Sequence, residues 1–249
     1  MRPTDHLQSL AADDWQAATR HAFTDALADG SLPKDRMLTY LQQDYLFVDG
    51  FVRLLASAIA HAPSLPDAIP AAQFLGLISG PENTYFLRAI KALGGIPEVP
   101  ASAAPVTAEF QALMARAAGS GRYEQMLAVL IVAEWSYLDW ASPHADKAAD
   151  LPFWFGEWIT LHCGAGFEGV VAYLRSQLDT AWQTLDADQR RAGGASTLYR
   201  RLCVPGKDER VGHCPGAPAA FLGVGRRALL AVGHHWPAGC ADGRNGQLS

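Results

Sequence analysis

Apolar positions recur along this chain with the period of a helix. After Pro33, the residues Met37, Leu41, Asp44, Val48, Phe51, Leu55 and Ala58 follow at spacings of four, three, four, three, four and three. That is the stripe a helix turns toward a bundle core. Pro33 is expected at the first helical position, and Pro63 ends the helix near Ala62. A second helix is predicted from Asp67 to Gly94-Gly95, and others over about 106–118, 122–142, 150–176 and 178–190. Gly119-Ser120-Gly121 and Ser142-Pro143 mark breaks, while Pro152 is tolerated in a first turn. Sustained period-two alternation and Asn-Gly or Asp-Gly hairpins between β-branched runs do not occur. The expected fold class is all-α, an antiparallel helical bundle.

Three of these stripes carry an ionisable interruption. Asp44 breaks the first. In 122–142 the stripe Leu127, Leu130, Glu134, Tyr137, Ala141 points Glu134 and Tyr137 along one face. In 150–176 the stripe Phe155, Ile159, His162, Gly166 and Gly169 or Val170 carries His162. Each has a plain structural reading: Asp44 accepts bonds from a neighbouring helix, His162 is a satisfied core histidine, and Trp135 and Trp140 are core or interface aromatics. A shared ligand site is the functional alternative. A di-iron bundle site requires Glu-x-x-His pairs, and none occurs, Glu157 and His162 being five apart. An apolar pocket for a flat heteroaromatic ring suits the residue types better. Tyr45, Phe47, Tyr137 and the tryptophans would stack, Asp44 would pair with ring amino and imino hydrogens, and neutral His162 or a tyrosine would position water.

Composition narrows the partners. The 249 residues are 49% hydrophobic and 18% charged, which suits a globular protein rather than a disordered one, with 20 basic against 25 acidic side chains. A net charge of −5 without a Lys/Arg run argues against nucleic acid. No apolar stretch approaches the roughly 20 residues of a membrane span, and Met1-Arg2-Pro3-Thr4-Asp5-His6 lacks a signal-peptide core, so a cytoplasmic protein is expected. Four cysteines without even spacing suggest neither a disulfide framework nor a zinc ribbon.

Beyond these arguments, three stretches resemble a known family. Leu41-Gln42-Gln43-Asp44-Tyr45-Leu46-Phe47, Ala133-Glu134-Trp135-Ser136-Tyr137-Leu138-Asp139-Trp140, and Trp158-Ile159-Thr160-Leu161-His162 with Phe167-Glu168 are similar to the TenA/thiaminase II family. Glu82, Tyr85-Phe86 and Ala92-Leu93-Gly94 stand in the expected order between them, and the likeness covers about residues 5–190. It implies a heme-oxygenase-like all-α bundle, a homo-oligomer of four or two chains, acting on thiamin-derived pyrimidines without a metal or organic cofactor. The family's nucleophilic cysteine lies four residues before the motif tyrosine, where this chain has Ala133. The sequence therefore resembles the cysteine-lacking TenA-E branch, which is linked to hydrolysis of formylaminopyrimidine or aminopyrimidine in thiamin salvage. The resemblance implies Asp44 as pyrimidine anchor, with Phe47 and Tyr137 as pocket walls; His162 stands where the cysteine branch has a tyrosine. Hydrolysis without a thiolate needs a carboxyl of raised pKa, and Glu134 is the in-frame candidate. Cys163 lies about 100° around the helix from His162 and reads as a packed small residue.

Residues 1–200 are expected to form the bundle and 201–249 an atypical tail rather than a separate domain. Gly, Pro, Cys, Arg and His crowd this segment, and Glu209 is the only glutamate after Glu168. The last-helix glutamate pattern of the family is absent after Tyr199-Arg200-Arg201. A one-base forward shift from Cys203 permits codons for Leu-Glu and Trp-Asp, which suggests a frameshift; the alternative is a divergent tail. A tail lacking that glutamate leaves open a second function, a pyrimidine-binding protein with little turnover. A helical oxidase on the same scaffold is a third.

Overall fold

The computed structural model describes residues 2–185, apart from Ala11 and Pro100. Among the described residues it is helical throughout, without strands. Three short helices, α1 (Pro3–Leu10), α2 (Ala12–Thr19) and α3 (Ala22–Ala28), lead into the long α4 (Lys34–His61). After α5 (Leu65–Leu77), a π-helical turn over Ile78–Glu82 and α6 (Asn83–Ala92), a loop leads to α7 (Pro105–Gly119) and α8 (Tyr123–Ala141). A 3₁₀ segment over Ser142–Asp150 then precedes α9 (Phe153–Leu161) and α10 (Gly164–Thr184). The all-α expectation holds.

At 28 residues, α4 is about 42 Å long and serves as the spine of the bundle. It packs against α5, α6, α7 and α8. Pro33 is its N-cap, with φ −57° and ψ 140°, rather than its first helical residue. Helix α8 is buried on almost every side, from Glu124 to Ala141. A helix apolar all round belongs inside a core, and α4, α7 and α10 cover this one. Its Glu134 and Tyr137 therefore face protein rather than solvent.

Two predicted helices are divided. The helix expected from Asp67 to Gly94 begins at Leu65, where the Ser64 hydroxyl accepts the Asp67 N–H, and is interrupted by the π turn. Pro81 has no N–H for the regular ladder, and the Asn83 N–H reaches back five residues to the Ile78 carbonyl. The expected helices 150–176 and 178–190 are instead α9 and an α10 that runs unbroken through residues 176–178. The break falls at His162 and Cys163, where Cys163 turns extended at φ −142° and ψ 178°; Gly164 follows at φ +77°, a backbone region open to glycine. His162 is thus the C-cap of α9, and Gly166 and Gly169 are exposed rather than continuing its stripe. The end of the predicted 178–190 helix, the tail and the frameshift point lie outside the described residues.

Candidate active site

Tyr40, Gln43, Asp44 and Phe47 of α4 divide the work of building the site. Gln43 fastens the neighbouring helix. Its Oε1 accepts from the Ala104 N–H and the Thr107 hydroxyl, both at 2.8 Å, and its Nε2 donates to the Ser102 carbonyl at 3.0 Å. These bonds hold the start of α7 so that Val106, Thr107 and Phe110 overhang Asp44. Phe47, one turn after Asp44, stacks on Phe110 with centroids 5.0 Å apart and planes 11° from parallel.

Asp44 is buried at 7% exposure. The Tyr137 hydroxyl donates to it, standing 3.1 and 3.2 Å from its two oxygens. The Tyr40 hydroxyl is 3.2 Å from that of Tyr137. Burial raises the Asp44 carboxyl to about 7, against the lowering effect of hydrogen bonds from Tyr137 and Tyr40.

Two hollows adjoin at this pair. The outer one, of about 40 Å³, is lined by Tyr40, Gln43, Asp44, Phe47, Phe110, Ala133 and Tyr137 among others. It has room for about three water molecules, the displacement of a single small ring. The inner one, of about 10 Å³, is lined by Asp44, Phe47, Glu82, Glu134, Tyr137, Trp158 and His162 with apolar neighbours, and holds about one water. Asp44, Phe47 and Tyr137 line both, so they form the partition.

The inner hollow is rich in ionisable groups. Glu134 is buried at 5% exposure and makes no hydrogen bond or ion pair with the described residues. Burial, then the charges of Glu82 and Asp44, hold its carboxyl well above the usual range. Glu82 is partly buried; desolvation and the Asp44 charge push it to about 8. His162 is stacked on Tyr137 at 4.3 Å. Its Nδ1 is 2.8 Å from the Trp158 carbonyl, which can only accept, so the proton is on Nδ1 and Nε2 carries a free lone pair. Burial lowers its pKa to about 4, so the ring is neutral at ordinary pH.

Asp44, Phe47, Glu134, Tyr137 and His162 are thereby brought together. Tyr45 is not. One residue after Asp44 it turns about 100° around α4. Its hydroxyl donates to Asn83 Oδ1 at 2.8 Å, and it lines a separate groove of about 380 Å³ with Val48, Val52 and Asn83. Trp135 also faces elsewhere, against Trp15 and under the Arg175 guanidinium. Of the tryptophans, Trp158 lines the inner hollow. Cys163 caps α10 outside both hollows and is half-buried.

Residues 10–194 match the TENA/THI-4/PQQC family. The chain belongs to that family. One curated relative, the aminopyrimidine aminohydrolase of Halalkalibacterium halodurans, is 26% identical over 188 residues, covering 74% of this chain and 84% of its own. The protein of the same name from Bacillus subtilis is 25% identical over 189 residues, covering 72% and 76%. A TenA homologue from P. horikoshii OT3 superposes with a TM-score of 0.67 at 20% identity, covering 93% of this chain and 97% of that one. Another from Pyrococcus furiosus gives 0.68 at 17%, covering 92% and 98%. The fold of this TENA/THI-4/PQQC member is accordingly the heme-oxygenase-like helical bundle of TenA proteins.

Glu82 is a site group outside the three interrupted stripes, although the chain carries a signal for it. Phe74, Ile78, Glu82, Phe86 and Ile90 are four apart throughout, so Glu82 interrupts an apolar stripe as Asp44 and Glu134 do. Tyr40, one turn before Asp44, carries the same helical signal.

Proposed function

We propose that this chain hydrolyses a C–N bond of a thiamin-derived aminopyrimidine in thiamin salvage. The observation that carries the reading is the partition itself: a ring-sized slot and a water-sized chamber meet at Asp44 and Tyr137. The names of the two curated relatives point to the same chemistry.

In this reading the pyrimidine lies in the outer hollow against Phe47, with Tyr137 at its inner edge. A neutral Asp44 carboxyl offers one O–H and one C=O, which match a ring nitrogen and the adjacent amino group of an aminopyrimidine. An ionised Asp44 pairs equally with the protonated ring, so acid and ring together carry one proton. Ala133 occupies the outer wall where the thiaminase branch has its cysteine, so water attacks in place of sulfur. Glu134 keeps its proton at neutral pH and gives it to the departing nitrogen. His162 Nε2 accepts a hydrogen bond from the attacking water and orients it.

Purified protein is to be incubated with aminopyrimidine and, separately, with formylaminopyrimidine, the products being followed by chromatography. Release of ammonia identifies the first as substrate and formate the second. Glu134→Gln is expected to lower kcat at least 100-fold while leaving pyrimidine affinity within threefold. Binding without product from either compound would favour the non-catalytic pyrimidine-binding protein.

We further read residues 1–200 as one unit that works in the cytoplasm as a homo-oligomer of two or four chains. Leu65, Ile69 and Leu77 on α5 are 73%, 44% and 54% exposed, which supports a covered face in an assembly. No helix among the described residues is long and apolar enough to cross a membrane. Light scattering on the eluting protein tests the chain number.

A further inference from the structure

The proposed reaction has an acid in Glu134 and a water-orienting group in His162, but His162 is a poor base, since burial opposes its protonation. The proton leaving the water needs another acceptor. Glu82 lines the same water-sized chamber as Glu134, from a different helical element. It is brought there by the last residue of the π turn, and such turns interrupt helices at functional positions more often than elsewhere. Glu134, nine-tenths buried and without a partner among the described residues, also faces the chamber.

We infer that Glu82 is the catalytic base of this site, forming with Glu134 a pair of carboxyls that holds one proton between them across a single bound water. The inference rests on the hydrolytic reading above. As the water oxygen bonds to the carbon, Glu82 takes one water proton. The C–N bond breaks with its electron pair on nitrogen, and Glu134 gives that nitrogen its proton. Water and substrate amine become alcohol and ammonia, while the pair still carries one proton, now on Glu82. Transfer of that proton back to Glu134 through the next water restores the starting state.

The surroundings keep at least one proton on the pair, and its one-proton form appears as pH rises through about 8. Glu82 faces Asp44 from α4, Glu134 and Tyr137 from α8, His162 from the end of α9, and Tyr85 from its own helix. None of these supplies a positive charge at neutral pH. The nearby Arg88 is engaged with Glu157, at 3.2 and 2.7 Å. Among the described residues no group of three or more His, Cys, Asp or Glu is placed to hold a metal ion. Protons must therefore offset the repulsion, and the partly buried Glu82, at about 8, ionises before Glu134.

The test measures ammonia release from aminopyrimidine between pH 6 and 10 by the wild-type protein, Glu82→Gln and Glu82→Asp. Wild-type kcat is expected to rise with pH through about 8, where Glu82 loses its proton. Glu82→Gln should lower kcat at least 100-fold and remove that rise, with pyrimidine affinity and melting temperature little changed. Glu82→Asp should restore part of the rate together with the rise. A Gln variant retaining more than a tenth of kcat, or the same pH profile, overturns the assignment while leaving the hydrolytic reading intact. A wild-type protein that releases neither ammonia from aminopyrimidine nor formate from formylaminopyrimidine overturns both. Should Glu82→Gln not fold, the wild-type profile and Glu82→Asp decide: a flat wild-type profile, or an Asp variant without the rise, refutes the base.

Discussion

The Tyr137 hydroxyl stands 3.1 and 3.2 Å from the two oxygens of Asp44, joining α8 to α4 at the point where the two hollows meet. A ring bound in the outer hollow and a water in the inner one would both touch this pair. The bond therefore has a structural and a ligand-facing side at once.

Asp44→Asn keeps the shape and the Tyr137 contact but replaces the carboxyl's acid proton or charge with an amide. Pyrimidine affinity is expected to fall 10- to 100-fold, the effect of about 1.5 to 3 kcal/mol for a hydrogen bond to a charged group, with the circular dichroism spectrum unchanged. Calorimetric titration checks this. Equal binding by wild type and variant would remove Asp44 as the anchor.

The same burial makes stability depend on pH in two opposed ways. Folding lowers the His162 pKa from 6.5 to about 4, so the unfolded chain binds its proton first and stability is lost as pH falls from about 6.5 toward 4. Folding raises Asp44 from 3.8 to about 7, so the unfolded chain loses its proton first and stability is lost as pH climbs from about 4 toward 7. Each effect is on the order of 3 kcal/mol when complete. Denaturant titrations should show His162→Gln flattening the decline on acidification and Asp44→Asn flattening the decline on the approach to neutrality.

Ala133 lines the outer hollow, four residues before Tyr137. Ala133→Cys is expected to place a thiol that reacts with a small alkylating reagent, and saturating pyrimidine should slow that reaction at least tenfold. Mass spectrometry of the modified peptide is the readout. Labelling indifferent to pyrimidine would put the ligand elsewhere.

Gly156 permits the 3₁₀ segment to lie against α9: a Cβ there would stand 2.1 Å from the Ala148 carbonyl oxygen. Gly156→Ala must push apart two backbones, which cannot be relieved by a side-chain rotation. A loss of about 3 kcal/mol, lowering Tm by roughly 6–12 °C, is expected. Because α9 carries Trp158 and ends at His162, activity should drop along with stability in a thermal melt and assay run side by side.

Much of the site was legible because helix geometry is local. Asp44 with Phe47 and Glu134 with Tyr137 are each one turn apart, and any helix over those residues puts them on one face. The same rule excluded Tyr45, one residue from Asp44, yet residue type alone had drawn it into the pocket. His162 is an inward group, as its stripe predicts, but it stands at the end of α9 rather than within it, since Cys163 turns extended, a backbone change that hydrophobic spacing does not encode.

Helical periodicity thus determined the fold class, the stripes and the polar groups that interrupt them, because it depends only on residues within a few turns of one another. The tertiary structure decided which stripes meet, that two hollows rather than one lie between them, and that Glu82 joins Glu134. It also decided the proton affinities. These depend on how far packing by α4, α6, α8 and α9 removes water from each carboxyl, a cooperative property of segments distant in the chain.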